Sequence, residues 1–360
     1  MKPKRILMIG PFPKPTTGVS LANQVVREIL EQAPGYTVNS INTSLDRFDE
    51  KVGSFSLYKL FYNLKFSLSA FKLISQDIIY LTPGQSFFGV AKYSLFILLG
   101  SLFKKELVIH VHGNHLGTAY KELSGWKKRY FKLLVSKMTK GIVLSKSLRP
   151  NLSPFLAEAQ IFELPNFAQA YLSQQLRPPV KDQLQLVYLS NLMEEKGILV
   201  LLEALQMLEN ENVPYKARIA GNIDADNREM VQAALSKLTH THYIGVVHGL
   251  EKKELLDWGN VFVLPTFYTM EGQPIAILEA MATQNAIVTT AHAGIPDIIK
   301  DKEHGYFVAK KDAHSLYQQL KYMQLHLDEV AQIAQNNSAY FQSHFTPTQF
   351  EERLLRILKA

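Results

Sequence analysis

The sequence predicts an α/β protein made of two doubly wound, Rossmann-like domains that face each other across a cleft. Three observations carry this reading. Short apolar runs alternate with helical stretches along most of the chain, which is the rhythm of a parallel sheet covered on both faces. That rhythm stops in a Pro- and Gln-rich stretch between residues 165 and 179 and then restarts. The length of 360 residues also exceeds one ordinary core, so two domains of roughly 150–200 residues are expected.

The first strand is residues 5–9 (RILMI), followed by a Pro/Gly/Thr loop at 10–18 and a helix at 19–32. Further strands are expected at 37–41, 77–81, 107–111 and 141–144. Beyond Pro178-Pro179 the series is strand 186–189, helix 198–208, strand 216–220 and helix 228–237, then strand 261–264, helix 274–283 and strand 286–289. The most apolar window, residues 86–103 (SFFGVAKYSLFILLGSLF), falls short of the ~20 apolar residues a spanning helix needs and carries Lys92. It follows a strand and reads as a buried crossover helix. The start, MKPKRILMIGPFP, has too few apolar residues before Pro11 for a secretory signal.

Composition narrows the chemistry. Hydrophobic residues at 47% and charged ones at 20% make a globular chain, which excludes disorder as the main state. Lys and Arg exceed Asp and Glu by 39 to 32, a net charge of +7 that favours anionic partners. There is no cysteine, so thiolate metal sites, thiol nucleophiles and disulfides are excluded. Ligands of parallel sheets bind beyond the strand carboxyl ends, and with two such domains the cleft between them is the expected site.

The richest segment is EGQPIAILEAMATQNAIVTT. Gly272 allows close backbone approach, and Pro274 suits a first helical turn. A helix starting near Pro274 offers free amides to a phosphate or to sugar oxygens. Glu279, in its second turn, could accept hydrogen bonds from ribose hydroxyls. On the residues alone, a capping Glu271 and an ordinary surface Glu279 serve equally well.

From Glu271-Gly272 to Glu279-Ala280-Met281-Ala282 the segment resembles the EGxPxxxxEAMA signature of the family-4 retaining glycosyltransferases, which have the GT-B fold. The segments PFPKPTTGVS, VIHVHGN, LPNF, VYLSNLMEEKGILVLLEAL, ARIAGN, HYIGVVHG and AHAGIPDII resemble other family elements in the same order. The resemblance runs from residue 5 to about 308, and residues 346–358 resemble the terminal helix that crosses back to the first domain. It implies an acceptor-side domain at 1–168, joined by the helix 346–360, and a nucleotide-sugar-binding domain at 169–345. It also implies transfer with retention of anomeric configuration, no cofactor and no bound metal.

The same resemblance assigns residues. Lys196 matches the diphosphate-binding lysine, and Glu271 with Gly272, Gln273, Pro274 and Ile275 orients the sugar. Glu279 holds the ribose, while the loop 245–249, including Gly245 and Val246, reads the base. His112 matches the first-domain histidine near the acceptor, and Gly18 matches the loop glycine beside the donor phosphates. Thr17 and Ser20 could instead be plain capping residues. One departure stands out: the family's Gly-Arg-Leu string is Ser190-Asn191-Leu192 here, so Asn191 donates hydrogen bonds without charge. Asp224-Ala225-Asp226 mimics a metal-binding Asp-x-Asp but reads as a loop and cap, and His240, His242 and His248 lack carboxylate partners at ligand spacing.

Residues 55–72 read as a helix with Leu57, Leu60, Phe61, Leu64, Leu68 and Phe71 as its core stripe. Phe55, Lys59, Tyr62 and Phe66 then form an outer aromatic face suited to a membrane or a glycolipid acceptor. Trp126, Lys127, Lys128 and Arg129 begin a second cluster, in which each cation near an anionic bilayer could contribute ~1 kcal/mol. A second protein layer could cover the same face. No nucleic-acid-binding module is recognisable. The expected activity is transfer from a nucleotide-diphosphate sugar to a glycan or polyprenyl-linked glycan of a surface polysaccharide (capsule, exopolysaccharide or O-antigen), in the cytoplasm at the inner membrane face. The alternatives are a non-catalytic scaffold and a nucleotide-sugar epimerase of the same fold.

Overall fold

The computed structural model describes residues 3–14, 17–44, 66, 69–176 and 182–360. The chain forms two units, Met1–Pro165 with Glu351–Ala360, and Asn166–Phe350.

The first unit holds a six-stranded sheet of β1 (Lys4–Gly10), β2 (Tyr36–Asn42), β3 (Ile78–Leu81), β4 (Glu106–Val111), β5 (Lys140–Val143) and β6 (Ile161–Glu163). Its order is β2-β1-β3-β4-β5-β6 with every pairing parallel. All four residues of β3 are buried, as an inner strand covered on both faces requires, whereas the edge strand β2 has no buried residue. The second unit holds β7 (Leu184–Leu189), β8 (Tyr215–Ala220), β9 (Thr241–Tyr243), β10 (Val261–Leu264), β11 (Ala286–Thr289) and β12 (Gly305–Phe307). Its order is β12-β11-β10-β7-β8-β9, again all parallel. The strand order reverses between β7 and β10, and the crevice beyond such a switch is where open parallel sheets take ligands.

Packing fixes these elements. Leu186, Phe262, Val263, Ile287 and Val288 lie in one core with Ile198, Leu201 and Leu205 of the Ile198–Asn210 helix and Ile277, Leu278 and Met281 of the Ile275–Ala282 helix. Each such side chain contributes about 1.5–3 kcal/mol on full burial. Gly197, before the first of these helices, has φ +79°, and a Cβ there would stand 2.3 Å from the Pro265 carbonyl oxygen. Only glycine lets the loop after β7 press this closely on the loop after β10.

Three elements were not legible as strands: β6, β9 and β12, each of three residues and each at a sheet edge. A strand of only three residues is too short to leave a periodic run to read. The apolar window 86–103 is not one buried helix. It forms Phe87–Ala91 and Ser94–Leu102, which bury Val90, Phe96 and Ile97 but leave Phe88 and Leu102 more than 70% exposed. Among the described residues no helix is long and apolar enough to cross a membrane.

The outer-face assignment of Phe66 is overturned. Phe66 is buried, with its ring 5.7 Å from Tyr93 and 4.9 Å from Phe96, while Phe71 of the expected core stripe is 60% exposed. Residues Ser69–Ser75 form a 3₁₀ turn, and its three residues per turn move Phe71 off the stripe drawn at 3.6. Phe55, Lys59 and Tyr62 lie outside the described residues.

Candidate functional site

In the second unit the two strands at the switch, β7 and β10, each deliver a loop. After β7 the chain passes Asn191, makes the short turn Glu194–Lys196 and enters the Ile198–Asn210 helix through Gly197. The Tyr188 hydroxyl lies 3.2 Å from the Asn191 carbonyl and 3.4 Å from that of Lys196, so one buried phenol supports both ends of the turn. After β10, the Phe267 amide donates to the Glu195 carbonyl at 2.7 Å, and the Thr266 hydroxyl lies 3.2 Å from the same oxygen. The two loops are therefore stitched together by main-chain and side-chain hydrogen bonds.

That stitching brings Lys196 and Glu271 together. Lys196 Nζ stands 2.6 Å from Glu271 Oε2, and the Thr266 hydroxyl reaches the same oxygen at 3.1 Å. Lys196 also lies over the Tyr268 ring, 4.9 Å from its centroid. Both side chains are largely buried, so each charge depends on the other, and removing one partner leaves an uncompensated charge. Glu271 Oε1 has no hydrogen bond among the described residues, which leaves it open to a ligand hydroxyl. Asn191 is exposed.

The rest of the EGQP loop is held from the other side. Asn166 donates through its main-chain N–H to Gln273 Oε1 at 2.6 Å and through Nδ2 to the Gln273 carbonyl at 2.8 Å. The Gly272 carbonyl accepts from the Gly294 amide at 3.0 Å. Pro274 caps the Ile275–Ala282 helix, whose first turn contains no acidic residue. One turn on, Glu279 is buried and pairs through Oε1 with Lys252 Nζ of the Gly249–Trp258 helix. The Tyr171 hydroxyl donates to the Gly249 carbonyl at 3.2 Å. Burial raises the pKa of that phenol, while Lys252 and Glu279 act on it in opposite senses.

Gly245 and Val246 lie on the loop after β9, where the Gly221 amide donates to the Gly245 carbonyl at 2.8 Å. Gly245 has φ +79°, and Ile244 and Val246 present exposed apolar edges. Asp224 accepts from the Asp226 amide at 3.1 Å and caps a 3₁₀ turn. Among the described residues no group of three His, Asp or Glu side chains is placed to hold a metal ion.

In the first unit His112 directly follows β4. Its ring lies 3.9 Å from that of His110, and the Tyr80 hydroxyl meets His110 Nδ1 at 2.7 Å. Nε2 of each histidine is buried without a hydrogen-bond partner. Burial pushes the His112 imidazole down to about 4 and holds His110 well below the usual histidine range, with neighbouring His112 adding to the effect. Both rings are neutral at pH 7. Gly18 opens the Gly18–Gln32 helix, and Thr17 and Ser20 form a reciprocal capping box ahead of it. On the Gly125–Val135 helix, exposed Trp126 packs edge-on to Phe87 at 5.6 Å, and Lys127 lies over that ring at 5.8 Å. Lys128 lies over Tyr120 at 5.1 Å, and Arg129 is exposed.

Lys252, Thr266, Asn166 and the Tyr80–His110 contact were not legible as site features. Lys252 sits in the charged run GLEKKELLDW, where nothing local separates a buried ammonium from a solvated one. The spacing of Asn166 from Gln273, 107 residues, carries no sequence signal at all.

Residues 183–325 match the family model "Glycosyl transferases group 1". The chain is 30% identical over 183 residues to WcaL of Escherichia coli (strain K12), assigned to colanic acid biosynthesis as a glycosyltransferase, covering 49% of this chain and 45% of that protein. It is 30% identical over 146 residues to the amylovoran biosynthesis glycosyltransferase AmsK of Erwinia amylovora, covering 39% and 36%. The match thus spans less than half the length of these curated relatives. Among solved structures, a glycosyltransferase from Rickettsia africae superposes with TM-score 0.79 at 16% identity, over 100% of this chain and 98% of that one. Alr3699/HepE of Anabaena in complex with UDP gives 0.76 at 14% identity over the full length of both. The expected fold class, two Rossmann-like units with parallel sheets, is the one these structures share with this chain.

Proposed function

We propose that this chain is a glycosyltransferase that moves a sugar from a nucleotide-diphosphate donor to a glycan or lipid-linked glycan acceptor in surface polysaccharide biosynthesis. The carrying observation is the pairing of Lys196 with Glu271 at the strand-order switch of the second sheet, beside the EGQP loop. The hard part of the reaction is the departure of a nucleoside diphosphate with two or more negative charges. The Lys196 ammonium and the first amides of the Ile275–Ala282 helix are suited to that charge, and no bound metal is needed. Glu271 Oε1 and the main chain of residues 272–274 meet the sugar, Glu279 meets the ribose, and the loop with Gly245 and Val246 meets the base.

In the step itself, the bond from the anomeric carbon to the diphosphate oxygen breaks and a bond to the acceptor oxygen forms on the same face. The acceptor's proton passes to the departing phosphate oxygen, and neutral His112 serves as a hydrogen-bond partner rather than an obligatory base. Relatives named for colanic acid and amylovoran biosynthesis, and a neighbour that binds UDP, support this reading. The exposed Trp126 with Lys127, Lys128 and Arg129 suits peripheral attachment to the cytoplasmic face of an anionic membrane.

Thermal unfolding with UDP, GDP or ADP, each with and without EDTA, tests the donor site. A ligand at ~100 times its Kd stabilises by ~2.7 kcal/mol, a shift of several degrees. An EDTA-insensitive shift with one nucleotide is expected. A second reading, a non-catalytic scaffold, is favoured by the uncharged Asn191, and the absence of a shift with any nucleotide would bring it forward. An epimerase would instead convert the nucleotide sugar with no acceptor present.

A further inference from the structure

The two glutamates of the EGQPIAILE segment are used alike. Glu271 gives one oxygen to Lys196, and Glu279 gives one oxygen to Lys252. In each pair the side chains are at most 17% exposed. In each carboxylate the second oxygen has no hydrogen bond among the described residues and is not sealed from solvent. Lys196 belongs to the diphosphate end of the proposed donor site. No role has been assigned to Lys252, whose helix starts directly after the loop proposed to read the base.

A carboxylate on a helix can turn its two oxygens freely unless something holds one of them. A buried ammonium on one oxygen fixes the plane of the group and leaves the other oxygen to meet a ligand. Around Glu279 the holding contact is Lys252 Nζ, from the Gly249–Trp258 helix, on Oε1; Tyr171 meets that same helix at the Gly249 carbonyl.

We propose that Lys252 is a positioning residue for recognition of the ribose. It pins Glu279 Oε1 so that Oε2 meets the 2′- and 3′-hydroxyls of the donor nucleoside, and it sets the preference for ribonucleotides over deoxyribonucleotides. This rests on the donor-site reading above. The ligand class is a ribonucleoside diphosphate.

The test compares the affinity of the wild-type chain for UDP, GDP and ADP with that for their 2′-deoxy and 2′,3′-dideoxy counterparts, by calorimetry. A hydrogen bond to a charged acceptor corresponds to a preference of about ten- to hundredfold for the ribose form. Lys252→Met is expected to bring that preference down to about threefold or less while leaving affinity for the dideoxy ligand unchanged. Glu279→Gln should do the same, and the double variant should lose no more than either single one. Lys252→Arg should restore most of the preference. If Lys252→Met does not fold, Lys252→Gln serves the same comparison, because it removes the charge and keeps a donor. Equal loss for ribose, deoxy and dideoxy ligands would overturn the proposal and move Lys252 to the phosphates or base, and an unchanged preference would overturn it too. Failure of the wild-type chain to bind any nucleotide would instead overturn the donor-site reading itself.

Discussion

At the scale of single residues, the second-unit site works through charges that are paired before any ligand arrives. Lys196 rests 2.6 Å from Glu271, so the diphosphate of the proposed donor would have to compete with a carboxylate already in place. Replacing Lys196 by Met leaves the nearly buried Glu271 uncompensated, at a cost of about 3–5 kcal/mol in stability when one partner of a buried pair is lost. Glu271→Gln keeps the shape and a hydrogen-bonding group but leaves the Lys196 ammonium without its carboxylate, so its circular-dichroism melt should fall while the variant stays folded. Turnover should drop a hundredfold or more; transfer near the wild-type rate would remove Glu271 from the reaction. The histidines give a second prediction. His112 is driven to about 4 by burial, and His110 is also lowered, so both are neutral when folded while the unfolded chain takes up protons near pH 6.5. Their depressed values leave stability intact above that pH and lower it as pH falls toward 4, by up to about 1.4 kcal/mol per unit for each histidine. Urea midpoints at pH 7, 5.5 and 4.5 should show this decline, and His112→Asn should flatten it.

At the scale of elements, loops carry the chemistry and glycines let them meet. Gly197 joins the Glu194–Lys196 turn to its helix in a left-handed conformation against the Pro265 carbonyl. Gly197→Ala adds both steric overlap and backbone strain, so a loss of about 1–3 kcal/mol is expected, with lower turnover as Lys196 is displaced. Wild-type urea stability in this variant would contradict the close approach. The strands were legible because inner parallel strands are continuous apolar runs, and seven of the runs that were read lie within or on strands found in the structure: 5–9, 37–41, 107–111, 186–189, 216–220, 261–264 and 286–289. The edges β6, β9 and β12 were not legible, since three residues at an edge bury too little to leave a pattern. Phe71 was misplaced because a helical wheel assumes 3.6 residues per turn, and the 3₁₀ turn Ser69–Ser75 breaks that assumption. Phe66 was misplaced because the rings that cover it, Tyr93 and Phe96, come from elements far along the chain.

At the scale of the whole molecule, the net charge of +7 is compatible with anionic partners of two kinds, a nucleotide and a membrane. The exposed aromatic and basic residues of the first unit lie on neighbouring elements: Phe88 beside Phe87, and Phe87 beside Trp126 and Lys127. Binding to vesicles rich in anionic lipid should be salt-sensitive. Replacing Lys127, Lys128 and Arg129 together should weaken it by about 3 kcal/mol, at roughly 1 kcal/mol per cation. Cosedimentation that ignores both salt and these substitutions would rule the surface out.

The sequence by itself determined the alternation of strand and helix, the absence of thiol chemistry and the segment from Glu271 to Ala282, because each of these is written in local pattern or composition. The tertiary structure alone decided which residues act on one another. Lys196 meets Glu271 across 75 positions, Lys252 meets Glu279 across 27, and Asn166 clamps Gln273 across 107. The reason is topological. Lys196 and Glu271 sit on the loops after β7 and β10, which the reversal of strand order sets side by side, and no periodicity along the chain encodes any of these partnerships.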